Sequence, residues 1–99
     1  MSYRMITDNA QLAEFCQSSL TATYLAVDTE FVRVNTLLPK LGLIQLYAGA
    51  DLVLVDPLAI TDWQPLAELL AAPSVLKLLH SCNEDLEALA TKNLLPILP

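Results

Sequence analysis

AVDTEF, residues 26–31, decides how the rest of this chain is read. Tyr24, Leu25, Ala26 and Val27 precede its first acid, and Phe31 and Val32 follow its second. That apolar, β-branched and aromatic content belongs to a central strand. Yet Asp28 and Glu30 stand inside it. Side chains alternate across a strand, so the two acids share one face with Tyr24, Ala26 and Val32, while Leu25, Val27, Thr29 and Phe31 take the other. Their Cα atoms are then roughly 6.5–7 Å apart, within reach of a common cation. Without a cation, the like charges repel and each carboxylate bears a desolvation cost on a largely apolar face. The plain alternative is a strand end that emerges into solvent, its acids merely opening a loop. The pair alone does not separate the two readings.

Around this stretch lie 99 residues, 55% of them hydrophobic, enough for one modest domain with more apolar surface than so short a chain encloses. Asp, Glu, Lys, Gln or Pro interrupts every apolar run before the roughly 20 residues a bilayer requires, so no membrane-spanning helix is expected. The start, MSYRMITDNAQ, lacks the pattern of a secretory signal, and a cytoplasmic location is the default expectation. Cys16 and Cys82 are far apart, with no C-x-x-C or Cys/His cluster, and read as reduced, buried or half-buried thiols. A net charge of −6 with only five Lys and Arg argues against a broad electrostatic footprint for nucleic acid. It suits a cation site equally well, since hard divalent metals are held by carboxylate oxygens.

No repeat, low-complexity tract or Gly/Ser linker divides the chain. YRMI (3–6) reads as a short edge strand. Thr7 or Asp8 caps a helix with apolar positions Leu12, Phe15, Cys16 and Leu20, ending near Ser19. After the strand from about Tyr24 to Phe31 and an irregular stretch broken by Pro39, LGLIQLY (41–47) and DLVLVD (51–56) read as a β-hairpin closed by Pro57. Asp62 is expected to cap a helix through WQPLAELLAA, with Pro65 in its first turn, Pro73 stopping it and Trp63 packing at its start. SVLKLLH (74–80) is a further apolar strand, and a last helix begins near Asn83. This order predicts a mixed α/β sheet with helices on both faces and more strands to come. The chain ends on an apolar LLPILP, and we expect residues 1–99 to be the N-terminal part of a longer domain.

A third acid stands in HSCNEDLEALA (80–90). With Asp85 set at zero on a helical wheel, Leu86, Leu89 and Ala90 fall near about 100°, 40° and 140°, defining a packed face. Glu84 and Glu87, near about 260° and 200°, point to solvent. Asp85 lies at the margin of the packed face, the acid best able to turn toward the sheet. An Asp in the first turn also favours the helix dipole by roughly 0.3–1 kcal/mol and then needs no metal.

LAVDTEFVR (25–33) followed by LPKLGLIQLY (38–47), LVLVDPLAITDWQPL (52–66) and KLLHSCNEDLEAL (77–89) resembles the DEDD superfamily of 3′→5′ exonucleases, and within it the ribonuclease D type. The likeness spans essentially the whole chain. D-x-E alone is weak; D-T-E-F, then P-x-L-x-L-I-Q-L, then H-x-x-x-x-D in this order is specific. The resemblance implies a ribonuclease H-like mixed sheet with flanking helices, incomplete here before its last strand and helices. It implies catalytic and metal-binding roles for Asp28, Glu30 and Asp85, which match the family's first two motifs. The cofactors implied are two divalent cations, Mg²⁺ or Mn²⁺, roughly 3.5–4 Å apart, one activating water and one stabilising the leaving 3′ oxygen.

The family's last motif, a Tyr with an Asp four residues later, has no counterpart in these residues, nor does a helical domain of the HRDC type. The chain alone is therefore expected to be inactive or nearly so. Leu37 and Leu38 depart from the aromatic that commonly precedes the Pro, which touches packing rather than chemistry. Thr29, Phe31 and His80 are candidate substrate contacts. Read from the residues alone, Phe31 is core and His80 a structural hydrogen-bonding residue before either is a substrate contact, and a solvated loop explains Arg33 and Lys40 as well as phosphate binding does. The implied partner is the 3′ end of single-stranded or tRNA-like RNA. The alternatives are a non-catalytic nucleic-acid-binding or scaffold module of the same fold, or a DNA-directed exonuclease. An unfinished sheet should also leave an apolar edge or face, so the isolated chain is expected to self-associate.

Overall fold

The computed structural model describes residues 3–32, 40–49 and 51–79. Its first strand, β1 (Arg4–Ile6), ends where Asp8 turns the chain. Asp8 has extended backbone, and its carboxylate accepts from the Gln11 backbone N–H at 2.7 Å, satisfying one of the donors a helix start leaves open. Helix α1 (Asn9–Ser19) follows, with Leu12, Phe15 and Cys16 buried at the expected i, i+3, i+4 spacing. Strand β2 (Tyr24–Val32) carries the acid pair. Strands β3 (Lys40–Ala48) and β4 (Asp51–Val55) form the expected hairpin, and Gly49 takes the positive φ of 80° that its turn requires.

A short 3-10 turn, Pro57–Ala59, follows β4 where the sequence reading had only a stop; Asp56 accepts from the Leu58 N–H at its start. Helix α2 (Gln64–Ala71) buries Leu66, Leu69 and Leu70. Its cap differs from the expectation: Trp63 occupies the N-cap position but its side chain does not cap the helix, while Asp62 accepts from the Gln64 N–H one residue earlier in the turn. Trp63 packs against the core as expected. Strand β5 (Leu76–Leu79) is shorter than the apolar run that predicted it, because Pro73 and Ser74 still belong to the turn. The helix expected from Asn83, with His80, Cys82 and Asp85, lies outside the described residues.

The five strands of the described residues lie in the order β1-β4-β3-β2-β5. β1 pairs parallel with β4 and β2 parallel with β5, whereas β3 is antiparallel to both its neighbours, so four strands share one direction. Parallel partners cannot be joined by a tight turn; they need a crossover. The described residues make two, β1-α1-β2 and β4-α2-β5, both moving across the sheet in the same sense. Crossovers of one hand then bring both helices to the same face. Accordingly α1 and α2 touch each other, and a single core joins their buried residues to Ile6, Leu25, Val27, Ile44, Leu46, Val53 and Val55 of the sheet.

The helices are also tied at their starts. The Asn9 side-chain oxygen accepts from the backbone N–H groups of Thr61 (3.0 Å) and Asp62 (3.1 Å), and its amide nitrogen donates to the Thr61 hydroxyl at 2.8 Å. An exposed Arg4–Asp51 ion pair (2.8 Å) joins β1 to β4, a contact of little energetic weight in water. No helix among the described residues is long and apolar enough to cross a membrane.

A carboxylate cleft on the open face of the sheet

Alternation along β2 sends Leu25 and Val27 into the core, and so turns Asp28 and Glu30 to the opposite face. Asp28 is half-buried and Glu30 exposed. The two therefore share a face, as the sequence predicts, but not an environment. Thr29 lies on the helix-packed side, across from buried Ile44, so its side chain does not share the face of the acids.

Directly opposite on β3, the register pairs Asp28 with Gln45 and Ala26 with Tyr47. Beyond Glu30 the pairing slips: Glu30 faces Leu43, but Phe31 faces Leu41, which leaves Gly42 without a partner on β2. This is a β-bulge beside the acid pair, of the kind that re-aims a side chain at a sheet's working end.

Between β3, β2 and β5 the open face forms a cleft of about 290 Å³, with Ala26, Asp28, Gln45, Tyr47, Leu78 and Leu79 among its walls. The Tyr24 and Tyr47 rings lie 6.3 Å apart at 44°, a tilted pair beside it. The cleft is thus apolar along most of its length, with one carboxylate and one amide facing each other across a strand pair. Sequence reading passed over Gln45 and Tyr47. The period-two pattern of LGLIQLY puts them on one face, but only the register shows that this is the face of the acids.

Two carboxylates supply hard oxygen donors, which fit Mg²⁺ or Mn²⁺ and do not fit a soft-metal site. Among the described residues no group of three potential ligands comes together. His80 and Asp85 lie outside those residues, and nothing is described of the Phe31 side chain.

A mixed sheet backed by two crossover helices, with acids on its open face, is the ribonuclease H-like exonuclease architecture. The chain belongs to the 3′–5′ exonuclease family, whose model matches residues 3–97. Within that family it is similar to ribonuclease D. It is 57% identical over 84 residues to Ribonuclease D of Haemophilus influenzae, covering 85% of this chain and 21% of that protein. It is 52% identical over 87 residues to Ribonuclease D of Escherichia coli, covering 88% of this chain and 23% of that protein. The crystal structure of Escherichia coli RNase D, described as an exoribonuclease involved in structured RNA processing, superposes with a TM-score of 0.86 at 49% identity, over 92% of this chain and 24% of that one. The chain therefore spans less than a quarter of the length of these relatives.

Proposed function

We propose that residues 1–99 form the N-terminal part of a metal-dependent 3′→5′ exoribonuclease domain acting on RNA 3′ ends, with tRNA precursors as a candidate substrate. The observation that carries this reading is the placement of Asp28 and Glu30 on one face of β2, with Asp28 half-buried in an open cleft. In this reading Asp28 and Glu30 hold divalent cations together with Asp85. When bound, such cations polarise the scissile phosphate and lower the pKa of a bound water. Asp28 is half-buried beside Ala26, Leu78 and Leu79 of the cleft wall, and partial burial of a carboxylate strengthens its attraction for positive charge. Hydrolysis joins a water oxygen to the terminal phosphorus and breaks the bond to the 3′ oxygen of the preceding nucleotide, which takes up a proton.

The reading extends to two further points. The isolated 99-residue chain is inactive or nearly so, because the ribonuclease D pattern draws a Tyr and a further Asp from beyond these motifs. It also self-associates through its open apolar face, where Met5, Leu76 and Leu78 are 44%, 51% and 46% exposed.

The test uses the protein that carries this sequence at its relatives' length, with 5′-labelled single-stranded RNA and Mg²⁺ or Mn²⁺. Stepwise shortening from the 3′ end is expected, and Asp28→Ala should lower its rate by about 100-fold or more, since a lost ligand forfeits several kcal/mol of charge stabilisation. Unchanged activity in that variant overturns the assignment. RNA left intact by the wild type favours a non-catalytic module, and preferential shortening of DNA favours a DNA-directed exonuclease.

A further inference from the structure

Asp28 and Gln45 are directly opposite residues of an antiparallel pair, on the same face, both half-buried and both lining the cleft. Opposed residues of this kind have Cβ atoms about 4.5–5.5 Å apart, and a glutamine amide reaches across that gap to a neighbouring carboxylate. Tyr47 is the other polar side chain on the cleft wall, but it stands opposite Ala26 and its ring pairs with Tyr24. Among the described residues, no hydrogen bond occupies either the Asp28 carboxylate or the Gln45 amide. A carboxylate that holds a cation with one oxygen has a second oxygen to satisfy. In a cleft that is otherwise largely apolar, a neutral donor does this without competing for the metal, as a lysine or arginine would by its charge.

We propose that Gln45 is a positioning residue of this site: its amide donates to the Asp28 oxygen turned away from the cation and so fixes the carboxylate for metal binding. The role rests on the metal-binding reading of Asp28. It also gives a reason for a polar side chain within LGLIQLY, where Ile44 and Leu46 on either side are fully buried and the strand otherwise reads as apolar.

The experiment measures Mn²⁺ affinity by electron paramagnetic resonance, in the absence of nucleic acid, for the protein that carries this sequence. Gln45→Met keeps the volume and removes the donor, and Gln45→Thr keeps the strand preference but is too short to reach. Melting curves show which variants are folded. Both are expected to weaken Mn²⁺ binding by about 10-fold or more, the usual effect of losing a hydrogen-bond partner of a ligating group. Wild-type affinity in a folded Gln45 variant, or a loss that appears in Tyr47→Phe instead, overturns the role. Asp28→Ala separates this failure from a deeper one. If Asp28→Ala binds Mn²⁺ as the wild type does, the metal reading itself falls and the role of Gln45 with it. If Asp28→Ala loses binding while the Gln45 variants keep it, only the positioning role falls.

Discussion

Cys16 lies on the buried face of α1 beside Phe15 and Leu12, where its sulfur has exchanged water for hydrocarbon. Burial pushes its thiol up from an ordinary 9.0 to about 12, because the thiolate is the form that low dielectric penalises. The native protein should therefore resist alkylation at this residue by iodoacetamide at pH 8, while urea-unfolded chain reacts; rapid native labelling of Cys16, read by mass spectrometry, contradicts this. The same shift carries a pH dependence. The unfolded thiol releases its proton near 9.0 and the folded one near 12, so across that window the folded state binds more protons. The stabilisation is fully present below about 9.0 and is lost as pH rises toward about 12, with a slope approaching about 1.4 kcal/mol per pH unit. Denaturant midpoints should fall with rising pH there, and Cys16→Ala should flatten that part of the curve. Asp28 and Glu30 differ at this same scale: Asp28 is half-buried and lines the cleft, whereas Glu30 is exposed, so equal substitutions in the two have no reason to cost the same.

At the scale of elements, the Asn9 clamp converts two helix starts into one joint. Its three hydrogen bonds are exposed, so Asn9→Ala should destabilise by only about 1–2 kcal/mol, a shift visible as a lower urea midpoint at unchanged slope. A changed slope would mean that the joint alters the unfolded or native compactness instead. Elements built from local chemistry were legible in the sequence: the Asp8 cap, the i, i+3, i+4 stripe of α1, the alternation of β2 and the β3–β4 hairpin all follow from neighbours a few residues apart. Register was not. The pairing of Asp28 with Gln45, the bulge at Gly42 and the parallel docking of β1 on β4 join residues far apart in the chain, and no local pattern encodes them. The cap of α2 falls one residue later than the sequence predicts, in a turn whose Thr61 and Asp62 backbone N–H groups donate to Asn9, a residue 52 and 53 positions away that no local pattern brings in. Of the candidate site, the acid pair was legible because charge in an apolar strand is conspicuous; its amide neighbour was not, because a lone Gln is ordinary.

For the whole molecule, the shared hand of the two crossovers leaves the described sheet dressed on one side only. The open side carries Met5, Leu76 and Leu78 in partial contact with solvent, with Leu76 and Leu78 on the edge strand of the described sheet. Light scattering of the isolated 99-residue chain should report species larger than a monomer, and Leu78→Lys should move the distribution toward monomer by placing a charge on that surface. A monodisperse wild-type monomer contradicts this. The strand order also imposes a schedule. β1 is made early, yet Arg4 pairs with Val53 and Ile6 with Val55, on a strand that emerges only after β2 and β3. At a synthesis rate of about 5–20 residues per second, Arg4–Ile6 waits about 2–10 s for its partner. During that interval a newborn chain holds β1 without its sheet partner, and β2 and β3 are available to pair before β4 brings β1 onto the edge of the described sheet.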